Sequence, residues 1–208
     1  EQLLDLIQTQ SPKLYAQVQR IEWVFENKMS HLAWDDGTPI TSRPLTNEEL
    51  ALLIDEPFEP YPEMTEVGIS IAQQIQIHIA KDPILWGKEF LGIDPRVYQI
   101  LLVRHPSLFK VLRLGRRAGK TFSMALVALH YAYTTNHGRV LVLTPMKPQG
   151  GLIYQEMMRF IEASDVVSQS VVRNVTSPQY EIELTNGSTI RFFSTGMKSG
   201  GRSDVTRG

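Results

Sequence analysis

Three observations predict an α/β fold built on a strand–helix–strand unit. The apolar run 108–114, with Leu108, Phe109, Val111, Leu112 and Leu114, stops abruptly at Gly115. A long apolar-patterned segment, 122–133, follows and has the length of a helix. A second continuous apolar run, Arg139–Thr144 (RVLVLT), then reads as a buried parallel strand, halted by Pro145. One helix between two such strands predicts a βαβ unit with a right-handed crossover.

The turn between the first strand and the helix reads Gly115-Arg116-Arg117-Ala118-Gly119-Lys120-Thr121. Strand, tight turn and helix form the context of a phosphate-binding loop. Gly119 lets the backbone turn close to a ligand. The amides of the new helix's first turn lack intrahelical partners and carry positive partial charge. Lys120 can reach β- and γ-phosphates, and the Thr121 hydroxyl can ligate Mg²⁺. The usual pattern is G-x-x-x-x-G-K-[ST], and Leu114 stands here at its first glycine position. The plainer reading is an ordinary helix start, with Gly119 a turn residue and Lys120 a solvated charge. The flanking strand and helix favour the phosphate loop.

Length and composition bound the rest. A chain of 208 residues can bury a substantial core, and 42% hydrophobic with 21% charged residues is ordinary globular composition. The absence of cysteine excludes disulfides and thiolate metal sites, and the five histidines show no ligand spacing. No apolar run approaches the length of a membrane span, so the protein is expected to be soluble and intracellular. The net charge of −1 hides an asymmetry. Residues 1–80 carry 4 Lys/Arg against 13 Asp/Glu, and residues 81–208 carry 17 against 9. From Arg96 to Lys120 there are seven basic residues and no acidic one. A basic half suits a polyanionic partner, or else a positive face packed against the acidic N-terminal part.

Along the chain, residues 3–30 have helical spacing with an interruption at Pro12, and 34–44 (WDDGTPITSRP) reads as a loop. Thr46-Asn47-Glu48-Glu49 fits a capping box opening a helix over 50–54. Pro57, Pro60 and Pro62 mark a linker over 57–63. Residues 65–80 fit either a strand or a helix, and the long stretch without glycine or proline from Ile69 favours helix. Asp82-Pro83 opens a further helix that Gly92 ends. Tyr98-Gln99 lies upstream of the loop, Gln99 being 21 positions before Lys120. A glutamine amide can pair with N6 and N7 of adenine while an aromatic stacks on the ring. The alternative is packing for Tyr98 and a helix surface for Gln99. After the second strand, Ile153, Met157, Phe160 and Ile161 have helical spacing, with Gln149 and Gln155 near that helix's start. Two alternating runs, 180–184 and 189–194, flank Asn186-Gly187 and predict a hairpin. The tail 195–208 is glycine-rich, basic and loop-like.

The ordered set DPILWGKEFLG, VYQ, LGRRAGKT, RVLVLTP, Gln155, NGSTIRFFS and the final TRG resembles the ATPase domain of the large terminase subunit of tailed bacteriophages. The resemblance covers about residues 80–208, and is weak or absent over 1–62. In that family the loop commonly reads [GS]-R-x-x-G-K-[ST], so Leu114 is no departure. The resemblance implies a P-loop NTPase of the helicase-like (ASCE) type, a mainly parallel sheet flanked by helices, over 63–208. Residues 1–62 would be an N-terminal helical accessory region. It assigns Gly115, Arg116, Arg117, Ala118, Gly119, Lys120 and Thr121 to the phosphate loop and Tyr98 and Gln99 to adenine recognition. Lys120 and Arg116 would be catalytic, Arg116 contacting the γ-phosphate, and Thr121 would hold Mg²⁺. Arg117 could instead be a DNA-facing or surface charge.

The implied activity is ATP hydrolysis that drives double-stranded viral DNA through a portal protein into the procapsid, in the host cytoplasm. A homo-oligomeric ring, a small terminase subunit and a C-terminal metal-dependent nuclease domain belong to the same expectation. The family's acidic strand, four apolar residues ending in Asp-Glu, should follow a tail like TRG, and no such segment follows Arg207-Gly208. The nearest match, 51–56 (ALLIDE), lies upstream and out of order. The 208 residues are therefore expected to be part of a longer protein, and by themselves to bind nucleotide poorly and hydrolyse it hardly at all. Two other classes stay open: a helicase-like ATPase acting on nucleic acid, and a non-catalytic assembly module.

Overall fold

A computed structural model describes residues 2–13, 15, 16, 46–112, 114 and 118–196. The helices in chain order are α1 (Gln2–Gln10), α2 (Asn47–Ala51), α3 (Pro62–Glu66), α4 (Ile71–Lys81) and α5 (Pro83–Leu91). They continue with α6 (Val97–Arg104), α7 (Lys120–Thr134), α8 (Lys147–Glu162) and α9 (Asp165–Ser168). The strands are β1 (Arg139–Thr144), β2 (Val171–Val175), β3 (Glu181–Leu184) and β4 (Thr189–Ser194). Contacts divide the chain into two compact units, Glu1–Glu59 with Pro95–Pro106, and Pro60–Asp94 with Ser107–Gly208.

In the first unit, α2 starts at the expected capping box. The Thr46 amide donates to Glu49 Oε2 at 2.8 Å and the Glu49 amide to Thr46 Oγ1 at 3.2 Å. Leu50 and Leu53 are buried in this unit, as are Val97, Ile100 and Val103 of α6. Arg104 closes the arrangement. Its Nη1 donates to the carbonyls of Leu52 and Ile54 at 3.0 and 3.2 Å, and its Nη2 to Asp55 Oδ1 at 2.7 Å. Residues 51–56 are thus the end of α2 and a turn, with Asp55 held by Arg104. The remainder of the expected 3–30 helix and the 34–44 loop lie outside the described residues.

The second unit begins with a buried polar hub. Gln74 of α4 accepts from the Tyr61 amide at 2.8 Å and donates to Thr65 Oγ1 and the Ile69 carbonyl at 2.9 and 3.0 Å. The 65–80 stretch is helical from Ile71, capped reciprocally by Ser70 and Gln73. Asp82 Oδ1 caps α5 through the Ile84 amide at 2.7 Å, and Gly92 ends that helix with φ 61°. Gly87 allows α5 to approach α7, since a Cβ there would lie 2.9 Å from Leu126 Cδ1. His130 of α7 places Nε2 2.8 Å from the Ala80 carbonyl oxygen, with its ring edge-on to Trp86 at 5.6 Å.

The sheet has the order β1-β4-β3-β2. Its one parallel pairing is β1 with β4, while β4–β3 and β3–β2 are antiparallel. The expected Asn186-Gly187 hairpin joins β3 to β4, with Gly187 at φ 77°. One sheet face buries Val142, Ile182, Leu184, Ile190 and Phe192, and α8 turns Ile153, Met157, Phe160 and Ile161 inward, as its spacing predicts.

The structure corrects the expected fold class. This is a small α/β fold with a mixed, mostly antiparallel sheet, in place of the mainly parallel P-loop sheet that the motifs suggested. The first strand of the expected βαβ unit is missing: none of residues 108–112 or 114 is in a strand. Leu108, Phe109 and Val111 are 95%, 92% and 97% exposed. An apolar run becomes a strand only when a neighbouring backbone takes its hydrogen bonds, and the sequence pattern carries no information on that neighbour. Here β1 takes β4 as its parallel partner. Among the described residues no helix is long and apolar enough to cross a membrane.

Two stability predictions follow from these contacts. Arg104→Ala removes the donor shared by two carbonyls and a carboxylate, and should destabilise the first unit by about 2–4 kcal/mol in urea unfolding. Arg104→Lys should recover only part of this, because an ammonium cannot present the same planar fork. For His130, burial lowers the imidazole pKa below the ordinary histidine value, partly offset by the bond to Ala80 and the Asp82 carboxylate. The unfolded chain then binds the proton more readily, so this contribution is complete above about pH 6.5 and is lost as pH falls below it. Melting temperature should drop between neutral pH and pH 5, and His130→Gln should flatten that dependence.

Candidate functional site

The expected phosphate loop leads into α7, and its glycine adopts the backbone that a tight entry needs. Gly119 is the N-cap with φ 69° and ψ 22°, a left-handed conformation that costs an L-residue with a side chain about 1–2 kcal/mol. Glycine has no side chain to cap the helix, and α7 starts without a side-chain cap. The 15-residue helix adds its dipole at the same point. α7 is anchored there by Phe122, whose ring meets Phe160 of α8 edge-on at 5.2 Å.

Lys120 occupies the first helical position and reaches back to Leu114. Its Nζ donates to the Leu114 carbonyl at 2.6 Å. Leu114, the position that lacks the usual glycine, therefore contributes its main-chain oxygen, which any residue type can supply. Ala118, Gly119, Lys120 and Thr121 are half-buried. Gly115, Arg116 and Arg117 lie outside the described residues. Sequence reading passed over Ser123, one turn into α7, which is 3% exposed with no hydrogen-bond partner for its Oγ among the described residues. A hydroxyl inside the apolar run FSMAL was the available signal.

Tyr98 and Gln99 belong to the first unit. Gln99 is 6% exposed and its Oε1 accepts the Arg96 amide at 2.8 Å, which closes the start of α6. Tyr98 is half-buried, with its hydroxyl 3.5 Å from Arg96 Nη1. The basic run is also divided in use: Arg104 is an internal tether with a side chain 8% exposed, while Arg96 is exposed. Gln149 and Gln155 are exposed on α8. Among the described residues no group of three or more His, Asp or Glu side chains could hold a metal ion.

The geometry at α7 suits a polyphosphate. A helix start without a side-chain cap, a left-handed glycine and an ammonium on the same turn are features of the kind that bind oxyanions, and the adjacent hydroxyl of Thr121 is a hard ligand of the kind Mg²⁺ accepts beside phosphate oxygens. No family of known proteins matches the chain, and no curated protein matches it.

The left-handed glycine gives a direct test. Gly119→Ala should destabilise the second unit by about 1 kcal/mol in denaturant unfolding, and Gly119→Asn by less, because asparagine tolerates φ > 0 better. Equal stability of all three forms would show that the entry to α7 does not require this backbone.

Proposed function

We propose that the chain is the nucleotide-binding part of an ATP-driven motor of the large terminase subunit kind, which moves double-stranded viral DNA into a procapsid. The observation that carries this reading is the turn at Gly119, where Lys120 reaches back to the Leu114 carbonyl at the N-terminus of a 15-residue helix that has no side-chain cap. The ordered motifs from DPILWGKEFLG to TRG support it by resemblance. In this reading ATP·Mg²⁺ supplies the phosphoryl group and the neutralising divalent charge. Lys120 exchanges the Leu114 carbonyl for phosphate oxygens, the α7 amides orient them, and the Thr121 hydroxyl faces the metal. Arg116 would stabilise charge on the γ-phosphate.

Beyond this chain's own residues, the reading includes a ring of copies on a portal protein, a small terminase subunit, an acidic strand and a nuclease elsewhere in the polypeptide. It acts in the host cytoplasm, transiently on the procapsid.

The test is binding of a non-hydrolysable ATP analogue with Mg²⁺, measured by calorimetry. Lys120→Ala should weaken binding about tenfold or more, the size of a lost charge-assisted bond. Thr121→Ala should abolish the gain in affinity that Mg²⁺ confers. Binding unchanged by Lys120→Ala would remove the nucleotide from this loop and leave an assembly role.

A further inference from the structure

A second concave site lies elsewhere in the same unit, at the carboxyl ends of the parallel pair. Thr144 and Ser194, the last residues of β1 and β4, stand opposite one another and open a cavity of about 310 Å³. Ligand pockets run from about 300 Å³ upward, so this one has room for one small moiety. Crevices outside the carboxyl ends of parallel strands are where open α/β sheets receive ligands. Its walls are built rather than incidental. A Cβ on Gly196 would lie 2.5 Å from the Pro145 carbonyl oxygen, and one on Gly150 would lie 3.2 Å from Thr144 Oγ1, so both backbones close on the strand ends as only glycine allows. Tyr180 forms a fixed aromatic wall. Its ring stacks on Tyr154 at 4.5 Å and meets Phe192 edge-on at 6.1 Å. Tyr154 is itself held by its hydroxyl, which donates to Asn174 Oδ1 at 2.7 Å.

The charge at the mouth has one sign. Lys147 lines the cavity, no carboxylate does, and the Lys147 ammonium donates to the Pro178 carbonyl at 2.7 Å. Among the described residues it has no acidic partner. Lys147 is also the first residue of the 16-residue α8, whose N-cap, Met146, makes no side-chain cap, so the helix dipole adds positive potential at the same rim. Gln179 also lines the cavity.

We propose that this cavity binds a nucleoside phosphate, with the phosphate on Lys147 and the start of α8 and the base along the Tyr180 wall. The ligand is either a free mononucleotide or one unit of a nucleic-acid strand, the shared chemistry being a flat base joined to a phosphate. The site is independent of the α7 loop and does not rest on the function proposed for it.

Amide NMR of the full chain, titrated separately with AMP and with hexathymidylate, tests this. Shifts should appear at Met146, Lys147, Gly150, Gly151, Gln179 and Tyr180, which separates the cavity from residues 119–122. Lys147→Ala should weaken the binding read at those amides about tenfold, Lys147→Glu should abolish it and Lys147→Arg should retain it. Hexathymidylate binding at least tenfold tighter than AMP, with a salt dependence, identifies a strand unit. Comparable affinities identify a free nucleotide. No shift at these amides with either probe, or Lys147→Glu binding like the parent, overturns the proposal.

Discussion

The second unit depends on how a parallel strand pair obtains its register. A hairpin turn aligns antiparallel strands, but parallel neighbours are far apart in the chain and need alignment from elsewhere. Here the turn residue Asn186 provides it. Its Nδ2 donates to the carbonyls of Ala132, Tyr133 and Thr135 at 2.8, 3.0 and 3.0 Å, two protons shared among three acceptors at the end of α7. Ser188 Oγ donates to the Thr135 carbonyl at 2.5 Å and accepts the Gly138 amide at 2.8 Å. The β3–β4 turn is thereby fastened to the chain just before β1, and Arg139 falls opposite Thr189. Every later pair follows, ending with Thr144 beside Ser194. Level strand ends are what leave a shaped opening there, where a slip of β4 by one residue would turn Phe192 to the other face.

The features legible in the sequence are those that a few neighbouring residues decide. The reciprocal cap of Thr46 and Glu49, the entry of α5 at Asp82-Pro83 and its exit at Gly92, the Asn186-Gly187 hairpin and the left-handed Gly119 all form from local chemistry. The inward face of α8 was equally readable, since helical spacing alone picks out Ile153, Met157, Phe160 and Ile161. What failed was non-local. Residues 108–114 have the composition of a buried strand, yet burial depends on a partner that periodicity cannot name. The direction of β2 and β3 relative to β1 depends likewise on which edges meet.

Polar residues were harder to read for a related reason. A buried amide or guanidinium must satisfy its hydrogen bonds, and the chain itself competes with any ligand for them. Gln99 spends its carbonyl oxygen on the Arg96 amide, Gln74 spends both ends on the 61–69 segment, and Arg104 spends its fork on Leu52, Ile54 and Asp55. Sequence patterns identify such groups as able to recognise a ligand without revealing that the fold has already engaged them. The Asp-Glu ending of residues 51–56 is the same case, a carboxylate that serves as an internal counter-ion.

Lys120 differs from these in that its ammonium donates to a loop carbonyl, a neutral acceptor. Exchanging that carbonyl for a phosphate oxygen replaces an ion–dipole bond with a charge-assisted pair, which is roughly twice as strong as a neutral hydrogen bond. A neutral ligand gains nothing from such an exchange, so a lysine bonded to a carbonyl, as Lys120 is to Leu114, favours anions. Arg104, held by a carboxylate and two carbonyls in a part-buried setting, could make the same exchange only by leaving Asp55 without its cation. The distinction between a tether and a binding group therefore lies in the charge and exposure of the resting partner: Arg104 is held by a carboxylate, and the Lys120 ammonium donates to a main-chain carbonyl at the entry to α7.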